Sequence, residues 1–232
     1  MSNLNSTNNR IIIITVPHGL CLARTAGSTI RTCDLRAQQA SNKLYEKLVL
    51  KNNYPTTLLS NIERAEHDLN RPWSREVPWR LELTKILKKL RQLGNDKEII
   101  LVDMHSFVGP IRRIDKYPDE NFKNKKLALL DFKDNDITNN LLNKLKNSLG
   151  DDNVIFVPGS EVNDIQLTSR KYVNYSFLIE NNEDKTIYTD KDLDKAMEII
   201  ADYLLEFSLP NYSYISTQYN NYNNDNTFCN IL

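Results

Sequence analysis

Short apolar runs alternate with segments of helical periodicity along this chain. Residues 11–16 and 98–104 are apolar on both faces, which is typical of central strands covered by helices on both sides of a sheet. Shorter runs predict three more strands, at residues 56–59, 154–157 and 175–180. Apolar stripes at helical spacing predict four helices, at residues 34–50, 77–93, 137–149 and 190–207. Asp190 is the predicted N-cap of the last helix.

This alternation of strands and helices indicates an α/β fold, with a mixed, mostly parallel sheet flanked by helices in a single domain. We expect the domain to span residues 11–208 of the 232-residue chain. Residues 1–10 are polar and are predicted to form a flexible N-terminus. Residues 209–232 are rich in Asn, Tyr and Ser without an apolar period, and they are predicted to form a flexible polar tail.

The charge balance and the cysteines narrow the expected partners and compartment. Lys plus Arg equals Asp plus Glu at 30 each, so no net field favours nucleic acid, and a small molecule or a peptide is the expected partner. The apolar run at residues 11–16 is too short for a signal sequence or a membrane span. The three cysteines are irregularly spaced and give no disulfide framework, so we expect a cytoplasmic, non-secreted protein.

Two of the three histidines directly follow the two strongest predicted strands. The carboxyl ends of parallel strands meet at one edge of a sheet, so His18 and His105 are predicted to converge on a metal, and neutral imidazole is a common zinc ligand. A hydrolytic zinc site needs about three protein ligands. Asp34 is the favoured third ligand and Cys21 is the alternative. Asp103 lies two residues before His105 on the same strand face, where its carboxylate can orient the imidazole.

A polar segment in mid-chain carries a second group of candidate residues, in Asp68-Leu69-Asn70-Arg71. The planar guanidinium of Arg71 suits bidentate capture of a carboxylate, and Asn70 beside it can donate to the same group. The alternative is a solvated loop held by a local Asp-Arg pair, which the residues alone favour. His67 is interpreted as an incidental loop residue.

Four short motifs together resemble the N-formylglutamate amidohydrolase family, which is itself similar to the zinc carboxypeptidases. They fall in the family's order over about residues 11–206. The motifs are Pro17-His18-Gly19, Asp68-Leu69-Asn70-Arg71, Asp103-Met104-His105-Ser106 and Phe177-Leu178-Ile179-Glu180. The resemblance implies a zinc-dependent amidohydrolase on a carboxypeptidase-like α/β fold.

The resemblance also implies roles for individual residues. His18, His105 and Asp34 match the metal ligands, although Cys21 stands where the carboxypeptidases have a glutamate ligand. Asn70 and Arg71 match the pair that holds the substrate carboxylate. Arg64 matches a further arginine of the amidohydrolases and is expected to bind substrate with them. Glu180 falls at the place of the general base, and Arg170 matches an upstream arginine suited to stabilising an oxyanion.

The expected function is therefore zinc-dependent hydrolysis of an amide bond in a carboxylate-bearing substrate. Such a substrate is an N-acyl amino acid such as N-formylglutamate, or a peptide terminus. The alternative is a non-catalytic metal- or peptide-binding protein that retains the carboxypeptidase-like fold. The last four residues begin with Cys229 and formally match a prenylation box, but no basic stretch accompanies them, so a chance match is the favoured interpretation.

Overall fold

The structure, a computed structural model, describes residues 10–20, 33–64, 66–94, 97–107, 124–131, 136–158 and 163–207. These residues include six strands and five α-helices. The strands are β1 (Arg10–Val16), β2 (Thr56–Leu59), β3 (Glu98–Phe107), β4 (Leu127–Asp131), β5 (Val154–Pro158) and β6 (Tyr175–Asn182). The helices are α1 (Leu35–Leu50), α2 (Pro78–Gln92), α3 (Asp136–Leu149), α4 (Asp164–Ser169) and α5 (Asp190–Glu206).

The strands form one sheet in the order β2-β1-β3-β6-β4-β5. β2, β1, β3 and β6 are parallel to one another, whereas β4 runs antiparallel to β6 and pairs with β5 in parallel. The predicted single α/β domain with a mixed, mostly parallel sheet is therefore confirmed. The sequence prediction missed β4 and α4, which are five and six residues long.

Helices cover both faces of the sheet. Alternate residues of the central strands, such as Ile12 and Ile14 of β1, face the apolar stripes of α1, α3 and α5. The intervening residues, such as Ile13 and Leu101, pack against α2 and α4 on the other face. The strands are buried on both sides, which explains why β1 and β3 read as continuous apolar runs.

Two expectations about local structure are wrong. Thr189, one residue earlier than predicted, caps α5, because its hydroxyl accepts the N–H of Asp192 at 3.1 Å. Cys33 is disulfide-bonded, with its partner outside the described residues, so the cysteine count no longer argues for a reducing compartment.

Among the described residues no helix is both long and apolar enough to cross a membrane. Arg10, the last residue of the predicted flexible N-terminus, begins β1, and residues 1–9 lie outside the described residues. The predicted tail at 209–232, with Cys229, lies outside them as well.

Candidate metal centre

His18, Asp34 and His105 meet at the carboxyl edge of β1 and β3. His18 lies in the turn that follows β1, in which the N–H of Gly19 bonds to the carbonyl of Val16 at 3.1 Å. The N–H of Asp34 bonds to the carbonyl of His18 at 2.8 Å, so the residue before α1 is attached directly to the end of β1. All three side chains are buried, with exposed fractions of 1%, 1% and 3%.

One carboxylate oxygen lies between the two imidazoles. Asp34 Oδ2 is 3.3 Å from Nδ1 of His18 and 3.5 Å from Nδ1 of His105. Atoms that ligate one zinc ion tetrahedrally at about 2.0–2.1 Å are separated by about 3.3 Å, so these two separations fit such an ion. The three residues are the one group of His, Cys, Asp and Glu side chains with metal-binding spacing among the described residues.

Each imidazole contacts a further carboxylate through its other nitrogen. Nε2 of His18 is 2.9 Å from Oδ1 of Asp68, and Nε2 of His105 is 3.1 Å from Oδ2 of Asp103. Asp103 in turn accepts the hydroxyl of Thr15 at 2.7 Å. A carboxylate beside a ligating histidine fixes the tautomer, with the proton on the nitrogen that faces the carboxylate.

In that tautomer the lone pairs of both Nδ1 atoms converge on Asp34 Oδ2, and three acceptors this close repel one another unless a cation or a proton lies between them. The pKa of His105 reflects this. Burial, the largest single effect, lowers the pKa, but the carboxylates of Asp103, Asp34 and Glu180 outweigh it and raise the pKa to about 10. The site therefore attracts positive charge, and its donor set suits a divalent metal.

Two arginines lie beside the cluster and share the second oxygen of Asp68. Nη2 of Arg64 is 3.6 Å and Nη2 of Arg71 is 3.4 Å from Asp68 Oδ2, and Arg64 also donates to Asp34 Oδ1 at 3.3 Å. Burial of Asp68 raises its pKa, but its contacts with His18, Arg64 and Arg71 outweigh burial and lower it, so the carboxyl is ionised. The sequence motif pointed to Asp68, but its bond to His18 was not predicted.

Asn70 faces inward in this structure. Its Oδ1 accepts the N–H of Ile165 at 3.1 Å, and its Nδ2 lies 3.4 Å from Nε2 of His105. With an exposed fraction of 3%, the side chain connects α4 to the histidine cluster. The oxygen of Asn70 is therefore engaged by α4, and its contact with a substrate carboxylate stays a prediction.

Glu180 lies next to His105. The two residues are register partners in the parallel strands β6 and β3, so their side chains project from the same face of the sheet. Glu180 is half-buried at this edge, and its charge contributes to the raised pKa of His105. The predicted carboxylate therefore lies beside the candidate metal ligands.

The catalytic role predicted for Arg170 needs correction. Its guanidinium forms an ion pair with Asp131, at the carboxyl end of β4. Because β4 runs antiparallel to β6, that end lies toward Tyr175, whose hydroxyl donates to Asp131 at 2.5 Å, and away from Glu180. Arg170 thus belongs to a separate polar cluster. It lies apart from the histidines, so the predicted catalytic role is not supported.

Two further residues named from the sequence are His67 and Cys21. His67 is exposed in a turn where its N–H bonds to the carbonyl of Glu63 at 3.1 Å, as expected for an incidental loop residue. Cys21, the alternative third ligand, lies outside the described residues. Sequence reasoning also missed Ser106, whose backbone N–H donates to Asp34 Oδ2 at 3.1 Å.

Comparison with known proteins shows a similarity in fold to solved structures. No family model and no curated protein matches the chain. Gene product Atu2144 from Agrobacterium tumefaciens aligns with a TM-score of 0.54 and 14% identity, over 91% of this chain and 92% of that one. An N-acetylmuramoyl-L-alanine amidase from Clostridium difficile 630 aligns with a TM-score of 0.44 and 16% identity, over 85% and 96% of the two chains. The likeness to Atu2144 shows a shared fold.

Proposed function

We propose that this chain is a zinc-dependent hydrolase that cleaves an amide bond in a carboxylate-bearing substrate, such as N-formylglutamate or another N-acyl amino acid. The observation that carries the proposal is the buried triangle of His18 Nδ1, His105 Nδ1 and Asp34 Oδ2. Each of the three residues offers one ligand atom, and these atoms lie within 4.8 Å of one another. Hydrolytic zinc sites likewise use about three protein ligands and keep a fourth position open. The assignment to N-formylglutamate rests on the sequence resemblance alone.

The carboxylates beside the two histidines orient the imidazoles for metal binding. Asp68 and Asp103 accept the Nε2 protons of His18 and His105, which keeps both Nδ1 lone pairs directed at the centre and makes the imidazoles stronger donors. A bound zinc ion would polarise the scissile carbonyl and lower the pKa of a water molecule.

Glu180 is the proposed general base. Its place beside His105 lets its carboxylate take a proton from the attacking water and deliver it to the leaving nitrogen. Burial of both neighbouring histidines limits access of bulk water to this part of the site, which strengthens the interaction of the carboxylate with developing charge.

Arg71 is the proposed anchor for the substrate carboxylate. Its side chain is 15% exposed at the edge of the cluster, and its guanidinium provides several N–H donors in one plane. Binding the substrate through a distant carboxylate fixes the orientation of its amide and lowers the entropic cost of reaching the reactive geometry.

The decisive experiment compares wild type with Glu180→Gln, using purified zinc-loaded protein and N-formyl-L-glutamate alongside other N-acyl amino acids. We expect wild type to release the amino acid, and Glu180→Gln to lose this activity with its zinc content unchanged. Retained activity in Glu180→Gln would remove Glu180 from the mechanism. Absence of hydrolysis by zinc-loaded wild type across the panel would favour the non-catalytic binding protein.

A further inference from the structure

The two oxygens of the Asp34 carboxylate face different partners. Oδ2 lies between the two imidazole Nδ1 atoms and also accepts the backbone N–H of Ser106 at 3.1 Å. Oδ1 accepts a hydrogen bond from Nη1 of Arg64 at 3.3 Å. The carboxylate is therefore oriented with one oxygen toward the candidate metal position and the other toward an arginine.

Arg64 joins the two carboxylates that border His18. Besides its bond to Asp34, its Nη2 lies 3.6 Å from Asp68 Oδ2. A guanidinium is planar and rigid, so one group that contacts both carboxylates also fixes their relative orientation. Arg64 stands in a turn in which the N–H groups of Glu66 and His67 bond to the carbonyl of Glu63, which restrains its backbone.

The orientation of Asp34 matters for the number of ligands. A carboxylate can hold a cation through one oxygen or through both, and the second mode occupies an additional coordination position. A hydrolytic zinc site needs an open position for water and substrate. We propose that Arg64 is a positioning residue that restricts Asp34 to a single-oxygen ligand and so keeps that position open. The inference rests on the proposed zinc site, and it replaces the substrate-binding role that the sequence suggested for Arg64.

Removal of Arg64 is then expected to leave metal uptake intact but to change the coordination of the metal. The guanidinium is a positive charge close to the candidate metal position, so its loss reduces repulsion of a divalent cation and uptake is retained. Asp34 Oδ1 becomes able to turn inward, so the coordination number rises. A residue that only supports the fold would weaken uptake without this change, and a residue that only binds substrate would leave the geometry unchanged.

Cobalt substitution tests the inference, because Co²⁺ absorbs visible light much more strongly in four-coordinate sites than in sites of higher coordination number. Apo-protein of wild type, Arg64→Met, Arg64→Lys and Arg75→Met is titrated with Co²⁺. We expect Arg64→Met to bind one equivalent but to lose most of the visible absorption of wild type. Arg64→Lys should restore much of it, because an ammonium also binds Oδ1. Arg75→Met is the matched control, since Arg75 pairs with Asp164 in another cluster, and its spectrum should equal that of wild type.

Kinetics add a second readout: with N-formyl-L-glutamate, kcat of zinc-loaded Arg64→Met should fall about 10- to 100-fold with KM unchanged. An Arg64→Met spectrum identical to that of wild type, or a raised KM with unchanged kcat, would overturn the inference while leaving the zinc site intact. Arg64→Gln gives the same test if Arg64→Met does not fold, because a neutral amide binds Oδ1 more weakly. Failure of wild type itself to take up Co²⁺ would instead overturn the proposed function, and this inference with it.

Discussion

Removal of the Asp68 carboxylate is predicted to weaken zinc binding while the fold persists. Asp68 Oδ1 lies 2.9 Å from Nε2 of His18, which is 1% exposed, so Asp68→Ala leaves a buried N–H without its charged acceptor. Removal of the partner of a ligating histidine typically lowers metal affinity about 10- to 100-fold. The Asp68 side chain is 19% exposed, so water replaces part of the bond and we expect a decrease of about 10- to 40-fold.

Competition with a chromophoric zinc chelator measures this affinity directly. Asp68→Asn should fall between wild type and Asp68→Ala, because its amide oxygen still accepts a hydrogen bond. Asp194→Ala is the matched control, since Asp194 pairs with Lys43 and Lys47 on the exposed side of α1 and α5. An affinity of Asp68→Ala within about twofold of wild type would refute the reasoning that Asp68 orients a ligating histidine.

Three further predictions concern substrate binding and stability. Arg71→Ala should raise KM for carboxylate-bearing substrates far more than for the corresponding amides, and equal changes in steady-state kinetics would contradict the proposed anchor. Burial raises the pKa of Asp164, but hydrogen bonds from Arg75 and Arg80 outweigh burial and lower the pKa. The ionised carboxylate therefore stabilises the fold above about pH 4, and this stabilisation is lost as the pH falls through the lowered pKa. In Asp164→Asn the free energy of unfolding, measured in urea, should therefore fall less steeply than in wild type as the pH is lowered below about 4. An unchanged pH dependence would contradict this. Leu44→Ala, at a fully buried position of α1, should lower the free energy of unfolding by about 2–5 kcal/mol, and a loss well below that range in urea would indicate a loosely packed core.

The placement of the two histidines was predictable because it follows from the sheet. β1 and β3 are apolar on both faces, which identified them as central strands, and the residues at the carboxyl ends of parallel strands converge. In the structure the two strands are neighbours. Asp34 was predictable as well, because a residue just before a helix that follows such a strand returns to the same edge. Asp103 followed from strand periodicity, since it shares a face with His105.

Arg170 was misassigned because its partner belongs to an element that the sequence did not reveal. β4 has five residues and no clear alternation, so neither the strand nor its antiparallel direction was predicted. Without β4, nothing indicated that Asp131 is buried beside Tyr175 and forms an ion pair with Arg170. The match of one arginine to a family position could not substitute for this missing tertiary contact.

The inward orientation of Asn70 was hidden for a related reason. Its oxygen accepts the N–H of Ile165, from the six-residue helix α4, which is too short to give a periodic signal. The bond of Asp68 to His18 joins residues 50 positions apart through a loop, where no periodicity constrains which side chains meet. Contacts of this kind depend on tertiary packing and not on local pattern.

Zinc stoichiometry of the purified chain, measured by elemental analysis after zinc loading and extensive dialysis, tests the central claim most directly. The account predicts one equivalent of tightly bound zinc per chain in wild type and loss of that zinc in His18→Ala and His105→Ala, with X-ray absorption showing nitrogen and oxygen ligands. Well under one equivalent in folded wild-type protein, or full retention of zinc by both histidine variants, would contradict it.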